Sequence, residues 1–472
     1  MASTNKVIIK IHEVTKVTPS SASAAEFSLR LTLYDTIWFK FPPVERLFFY
    51  QITDLTPHFF NSVILPKLKQ SLSLTLTHYL PLAGNLIWPH DAPKPFIYYS
   101  LNDGVSVTVA ESSADFTHLS GNGVRDAIAL HPLTPELVTS DEKAAIISIQ
   151  ITMFPNQGFC IGISSHHAIL DGRSTTMFFK SWAYLCKQLD KHQEEEEPSL
   201  LPELIPSFDR TVIKDPTGID MVYVNNWFNY AGPDSDPKKR SLKVLQTVGG
   251  NPNWNRATFE FTREDIKKLR NKVLSLLEEN KEKPLKQLHL STFVLTCAYV
   301  FDCLVKSRGG EDSRRIMFGF TADYRSRLDP PVPSNYVGNC VMSHAIVATK
   351  GDLMNEKGVA FVAEKLSDLI RGIERGEHEG TKETLEKLIE LAKSVEGGIL
   401  LGVAGSTQFD VYGSDFGWGR PKKVEIVSID RSGAIGLARS RDASGGVEIG
   451  VVLEKQEMEV FSSLYVDGLK NQ

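Results

Sequence analysis

Between residues 144 and 189 the chain spells out a hairpin followed by a helix, and this limits its possible folds more than any other stretch. Residues 144–154 read as a β-strand, and Pro155-Asn156-Gln157-Gly158 is a strong turn signal. Residues 159–164 read as the returning strand. After Gly172 the spacing predicts an amphipathic helix over 174–189. Residues 7–17 predict another strand. Residues 54–80 are helical in period, with apolar side chains at Phe59, Phe60, Val63, Ile64, Leu68, Leu72 and Leu76. Pro66 should kink or split that helix, and Pro81 ends the pattern. Short strands are expected at Leu86, 96–99 and 105–109.

The stretch 187–198 breaks the alternation. Its run Glu194-Glu195-Glu196-Glu197 before a proline reads as a solvated linker, and the proline-rich stretch 200–216 as an extended crossover. Beyond it come helices near 263–280 and 291–306. Strands follow at 316–320, 424–429, 434–440 and 446–452. No internal repeat is visible. Strands alternating with helices, together with hairpins, predict an α/β fold with mixed sheets. A chain of 472 residues accommodates two domains of some 200 residues each.

The formal net charge is −5, so no broad basic surface is present to neutralise phosphates, and nucleic acid is not an expected partner. Five scattered cysteines, with no CxxC pair, argue against a disulfide framework or a zinc site. They read as buried apolar residues in a reducing compartment. The first residues lack the layout of a signal peptide, and no run approaches the ~18 apolar residues of a membrane span. A cytosolic protein without membrane contact is expected.

The strongest chemical signal is His166-His167-Ala168-Ile169-Leu170-Asp171-Gly172, directly after an apolar strand and before a helix. Moving an acyl group onto a hydroxyl needs a base within hydrogen-bond reach of that hydroxyl. A neutral imidazole, with a reference pKa of about 6.5, suits the task. His167 is the candidate general base and His166 a packing or orienting residue. Asp171 either orients the imidazole or binds an arginine and fixes the loop. No Gly-x-Ser-x-Gly elbow supports a serine hydrolase. A second signal is Asp415-Phe416-Gly417-Trp418-Gly419-Arg420-Pro421, where two glycines around a tryptophan imply a tight loop. Without a glycine-rich phosphate loop or a His-Arg-Asp motif, Asp-Phe-Gly does not indicate a kinase. His378-Glu379 lacks the second histidine of a zinc protease.

With those two motifs in that order, some 250 residues apart, the chain resembles the plant BAHD acyltransferases. The resemblance extends over nearly the whole chain, through Leu33-Tyr34-Asp35 with Trp38, Tyr79-Leu80-Pro81-Leu82-Ala83-Gly84, Ser291-Thr292-Phe293 and Asp323-Tyr324-Arg325-Ser326-Arg327. It implies two similar chloramphenicol-acetyltransferase-like α/β domains with mixed β-sheets. These would be residues 1–190 and 217–472, joined by a long crossover at 191–216, with the active-site channel between them. It implies that coenzyme A and the acceptor meet at His167. The aspartate matching Asp171 would point away and pair with an arginine. Ser291 and Thr292 would lie near the coenzyme A arm, and the loop of Asp415, Gly417, Trp418 and Gly419 would support the fold.

Tyr336-Val337-Gly338-Asn339-Cys340, Phe154-Pro155-Asn156-Gln157-Gly158 and Val403-Ala404-Gly405-Ser406 look like the flavonoid and phenolic-glucoside branch. Its members mostly transfer malonyl groups from malonyl-CoA to a sugar 6-hydroxyl, and some transfer hydroxycinnamoyl groups. The resemblance implies no permanently bound cofactor, no metal, and a monomer. Burying a malonyl carboxylate needs a cation, and Arg173, next to Gly172, is the candidate; a surface arginine is the other reading. Trp38 fits the channel wall or a plain core position. A silent homologue that only binds phenolics is the reading from another class.

Overall fold

The computed structural model describes residues 9–20, 25–190, 198–230, 240–245, 251–278, 288–376 and 397–470, together with 386–387, 390–391 and 393–395. With strands numbered in chain order, three sheets are built. The first runs β1 (Ile9–Val17), β6 (Val105–Ser112), β9 (Ile147–Phe154), β10 (Gly158–Ser165), β3 (Val44–Gln51) and β15 (Lys423–Ile426). The second runs β13 (Val341–Thr349), β12 (Arg315–Asp323), β14 (Ile399–Ser406), β16 (Ala434–Arg439), β17 (Val447–Glu454), β11 (Trp254–Phe261) and β7 (Arg125–Asp126). A small third sheet holds β2 (Phe27–Arg30), β5 (Phe96–Tyr99), β4 (Asn85–Ile87) and β8 (Lys143–Ala145). Both large sheets are mixed: β6 runs parallel to β9, and β14 runs parallel to β12 and β16. The fold is α/β with mixed sheets, as the sequence predicts.

The 144–164 hairpin forms with one change. Its first arm divides at Ile146, so that β8 joins the small sheet and β9 the large one. The Ile146 carbonyl accepts the His166 N–H at 2.8 Å, which ties the chain leaving β10 back to that break. Every residue of β9 and β10 is buried. Ile149, Ile151 and Ile163 join one apolar cluster, while Cys160 joins another with Leu47 and Phe49, so both faces of the sheet are covered. Residues 54–80 are split as expected. A wide π-helical turn, Phe60–Ile64, precedes the helix Leu65–His78, and Pro66 sits in that helix's first turn. A proline there has no N–H to return to the preceding turn, and the wide turn absorbs the change of register.

The two halves exchange parts. β15, from the second half, closes the first sheet against β3, with Lys423 opposite Phe49 and Ile426 opposite Arg46. β7, from the first half, closes the second sheet against β11. Leu33 and Tyr34 lie in the second core, while Val411, Tyr412, Phe416 and Val424 lie in the first. Buried ions fasten the crossing. Glu425 pairs with Arg125 and, at 3.2 Å, with Arg256, which also donates to the carbonyls of Ile426 (2.9 Å) and Val427 (2.6 Å). Burial pushes the Glu425 carboxyl up, but Arg125, Lys423 and Arg256 outweigh it and hold it at about 2.

The 200–216 stretch runs through short turns at Pro202–Leu204 and Arg210–Val212, and Ser207 bridges to Tyr336. The Glu194–Glu197 run and His378-Glu379 lie outside the described residues. Among the described residues, no helix is long and apolar enough to cross a membrane, and no group of three His, Cys, Asp or Glu is placed to hold a metal ion. All five cysteines are free and buried.

Candidate active site

The chain leaves β10 through a tight turn. His166 is fully buried, its carbonyl accepts from the Ile169 N–H (3.2 Å), and its Nδ1 accepts from the Ala168 N–H (3.3 Å). Burial, His167 and Lys40 push its imidazole down to about 3, so it stays neutral. His167 is the partly accessible residue of the pair. Its ring stacks on Trp38, with centroids 4.3 Å apart and planes 11° apart, and meets the edge of Phe41 at 6.0 Å. Its carbonyl accepts from Asn339 Nδ2 at 2.9 Å. Its Nδ1 is buried beside the residue's own carbonyl, without a well-formed hydrogen bond to any described residue. Burial pushes the imidazole down to about 4; the backbone carbonyl and Asp171 act the other way, and Arg46 adds to the lowering.

Asp171 is engaged by Arg325 and by the start of the next helix. It caps the helix Gly172–Gln188, with Oδ1 accepting the Ser174 N–H at 2.9 Å. Its Oδ2 pairs with Arg325 Nη1 at 2.8 Å and accepts from the Cys340 N–H at 3.3 Å. Burial would raise its carboxyl, but Arg325 and the Ser174 contacts win and hold it below the usual range. Arg325 Nη2 and the Ser174 hydroxyl both reach the Gly338 carbonyl at 2.9 Å. Asn339 is in turn held by Asp35, whose Oδ1 accepts from the Asn339 N–H and side-chain amide at 3.1 Å each. Arg210 donates to the Val337 carbonyl at 2.6 Å, and a side chain at Gly338 would come within 2.1 Å of the Arg210 guanidinium and displace it. The stretch 336–340 is thus a clamp from the second half on the histidine turn of the first.

The remaining candidates are spread out. Trp38 is buried against His167, and its Nε1 has no partner among the described residues. Arg173 is exposed, with its guanidinium 3.4 Å from Asp323 and 3.3 Å from the Ser334 carbonyl. Ser291 caps the helix Thr292–Ser307, accepting from the Val294 N–H at 3.3 Å; both it and Thr292 are half-buried at the helix start. Asp415 Oδ1 accepts from the N–H groups of Gly417 and Gly419 at 2.9 Å each, and its Oδ2 pairs with Lys187 at 2.7 Å. Gly417 (φ 107°) and Gly419 (φ 94°) hold backbone that other residues rarely adopt. Trp418 lies under Lys67 at 5.2 Å and edge-on to Phe159 at 6.0 Å, and Phe416 is buried against Tyr50, Phe179 and Trp182.

Arg325 and Asn339 sit within stretches that mark the resemblance, but their roles depend on partners more than 140 residues away. Arg46 carried no sequence signal, and the strand that holds it, Val44–Gln51, is not among those the sequence predicts. What the site offers is a neutral, stacked imidazole on a turn clamped from both halves of the chain. A neutral imidazole of this kind has the chemistry of a general base.

The sequence profile described as the Transferase family matches residues 7–465. Phenolic glucoside malonyltransferase 1 of Arabidopsis thaliana is 46% identical, over 98% of each chain. Malonyl-CoA:anthocyanidin 5-O-glucoside-6''-O-malonyltransferase of the same plant is 43% identical, also over 98% of each. Among solved structures, vinorine synthase superposes over 97% of this chain and 98% of its own with a TM-score of 0.66, at 20% identity. A shared fold, a histidine turn clamped by both halves and full-length sequence identity make this chain a member of the Transferase family, the BAHD acyltransferases.

Proposed function

We propose that this protein transfers the malonyl group of malonyl-CoA to the sugar 6-hydroxyl of a phenolic or flavonoid glucoside. The full-length similarity to malonyltransferases of such glucosides supports the donor and the acceptor class. The observation that carries the chemistry is the partly accessible His167 imidazole at the end of β10, stacked on Trp38; burial lowers it to about 4, which leaves it unprotonated at neutral pH. With Nδ1 turned into the protein, Nε2 takes the proton of the sugar hydroxyl. The oxygen forms a bond to the thioester carbonyl carbon, the carbon–sulfur bond breaks, and the departing thiolate takes the proton from the imidazolium. The products are the malonyl ester and free coenzyme A.

In this reading Trp38 fixes the plane of the base, and Asp171 holds the turn rather than relaying a proton. The start of the helix Thr292–Ser307, with Ser291 and Thr292, faces the coenzyme A arm, where N–H groups and the helix dipole favour a phosphate. Asp415, Gly417, Trp418 and Gly419 support the fold. The protein works as a cytosolic monomer. The test is acyl transfer by the purified chain, offered malonyl-CoA and p-coumaroyl-CoA separately with a panel of glucosides and read by mass. A product heavier by one malonyl group is expected, with turnover falling about 10²–10⁴-fold in His167→Ala. Turnover unchanged in that variant would overturn the mechanism, and product from p-coumaroyl-CoA alone would overturn the donor.

A further inference from the structure

Arg46 lies on β3, the fifth strand of the first sheet, opposite Ile163 of β10 and Ile426 of β15. It is 4% exposed, yet its side chain makes no hydrogen bond or ion pair with any described residue, and its Nε is buried without a partner. A buried guanidinium with nothing to bind is costly, and chains seldom keep one without a use for it. Its neighbours do not supply the missing partner. Asp171 attracts it electrostatically, but both Asp171 oxygens are taken up by Arg325, Cys340 and Ser174.

The Arg46 side chain lines a pocket of about 470 Å³ of empty space, including its open mouth, together with Gly405, Phe409, Lys423, Glu425 and Glu448. The two carboxylates of that pocket are committed elsewhere. Glu425 binds Arg125 and Arg256, and Glu448 binds Lys423 and the Tyr412 hydroxyl, both at 2.8 Å or less. Arg46 links the pocket to the turn that carries Asp171 and Gly172. A methyl group added at Gly172, next to Asp171, would come within 3.2 Å of Arg46 Nη2 and 2.5 Å of the Phe409 ring. The Arg46 charge is also felt at His167. Arg173, by contrast, is exposed, engaged with Asp323, and absent from the pocket lining.

We propose that Arg46, not Arg173, binds the free carboxylate of the acyl donor and so sets the preference for a malonyl group. This rests on the malonyl reading above. In a malonyl thioester the carboxylate stands one methylene beyond the carbonyl carbon that is attacked. Its binding residue must therefore lie close to the base, be sheltered from water and be free of protein partners. Arg46 is 4% exposed, has no hydrogen-bonded or ion-paired partner among the described residues and borders the turn at Gly172, and its planar fork can hold both carboxylate oxygens.

The experiment measures kcat/KM for malonyl-CoA and for butyryl-CoA, a neutral donor of similar length, in the wild type, Arg46→Met and Arg46→Lys, with thermal melts to confirm folding. The wild type is expected to favour malonyl-CoA. Arg46→Met should lose about a hundredfold on malonyl-CoA and little or nothing on butyryl-CoA, so that the preference collapses. Arg46→Lys, which keeps the charge and the fold, should recover part of the malonyl rate. Equal losses on both donors, or an intact preference in the variants, would overturn the role of Arg46 and leave the malonyl reading standing. A wild type that makes no malonyl ester would overturn that reading first, and the wild-type arm alone decides it.

Discussion

A single proton decides whether His167 can work, and its surroundings settle where that proton sits. The ring lies between Trp38 and the protein interior, where a charged imidazolium would lose more hydration than it recovers. The base is therefore ready at any pH at which a solvated histidine would be partly charged. kcat/KM is expected to stay level from pH 8 down through 6.5 and to fall only as the pH approaches about 4. A pH–rate profile checks this, and a midpoint near 6.5 would mean that the ring is not held neutral. Stability has the same sign. Both His166 and His167 are depressed in the folded state, so between about 6.5 and 4 the unfolded chain binds more protons, and stability drops as the pH falls. The motif made His167 legible in the sequence because everything that identifies it is local: a strand, two histidines, a turn and a helix. The partner of Asp171 was not legible. Arg325 is 154 residues further along, and spacing along a chain carries no information about which guanidinium folds back.

The helix Gly172–Gln188 joins the two motifs that sequence reading found far apart. Its first turn is capped by Asp171, and Lys187 in its last turn holds the Asp415 loop at 2.7 Å. Its middle is anchored by Trp182, whose Nε1 donates to the Leu68 carbonyl at 3.1 Å and to the Ser71 hydroxyl at 3.0 Å. Asp171→Asn keeps a capping oxygen but leaves Arg325 with Asp323, at 3.1 Å, as its one remaining carboxylate among the described residues. It should cost more than the ~1 kcal/mol of a lost cap but less than the about 3–5 kcal/mol of a buried charge left wholly unpaired, and thermal or denaturant melts measure the difference. A loss near 1 kcal/mol would mean that the ion pair contributes little. At this scale the hairpin and both motif-bearing loops could be read from residue order. The division of its first arm at Ile146 could not, because the residues on either side have the same strand preference. At the break the Ile146 carbonyl takes the His166 N–H, a partner twenty residues away.

Neither half of the molecule completes its own sheet. Sequence patterning predicts strands at 424–429 and 446–452 without saying which sheet each joins, since alternation specifies a buried face and not a neighbour. The structure gives β15 to the first sheet, β17 to the second, and locks the exchange with Glu425, Arg125 and Arg256. Arg256→Ala should therefore lower stability by about 3–5 kcal/mol, and calorimetry should still record one cooperative transition rather than two. Two separate transitions would mean that the halves unfold independently. The Glu425 carboxyl, held at about 2, adds stability above the normal range of a glutamic acid, and that contribution is lost as the pH falls towards 2. The exchange also imposes a timetable on synthesis. β3 ends at Gln51 and its outer partner begins at Lys423, so at about 5–20 residues per second the ribosome needs on the order of 20–75 s to deliver the ~370 residues between them. Throughout that interval the edge Val44–Gln51, with Leu47, Phe48 and Phe49 in sequence, is open to any passing strand. That edge stays open until Lys423–Ile426 is made, and a chain cut short before β15 is expected to keep β3 without its outer partner.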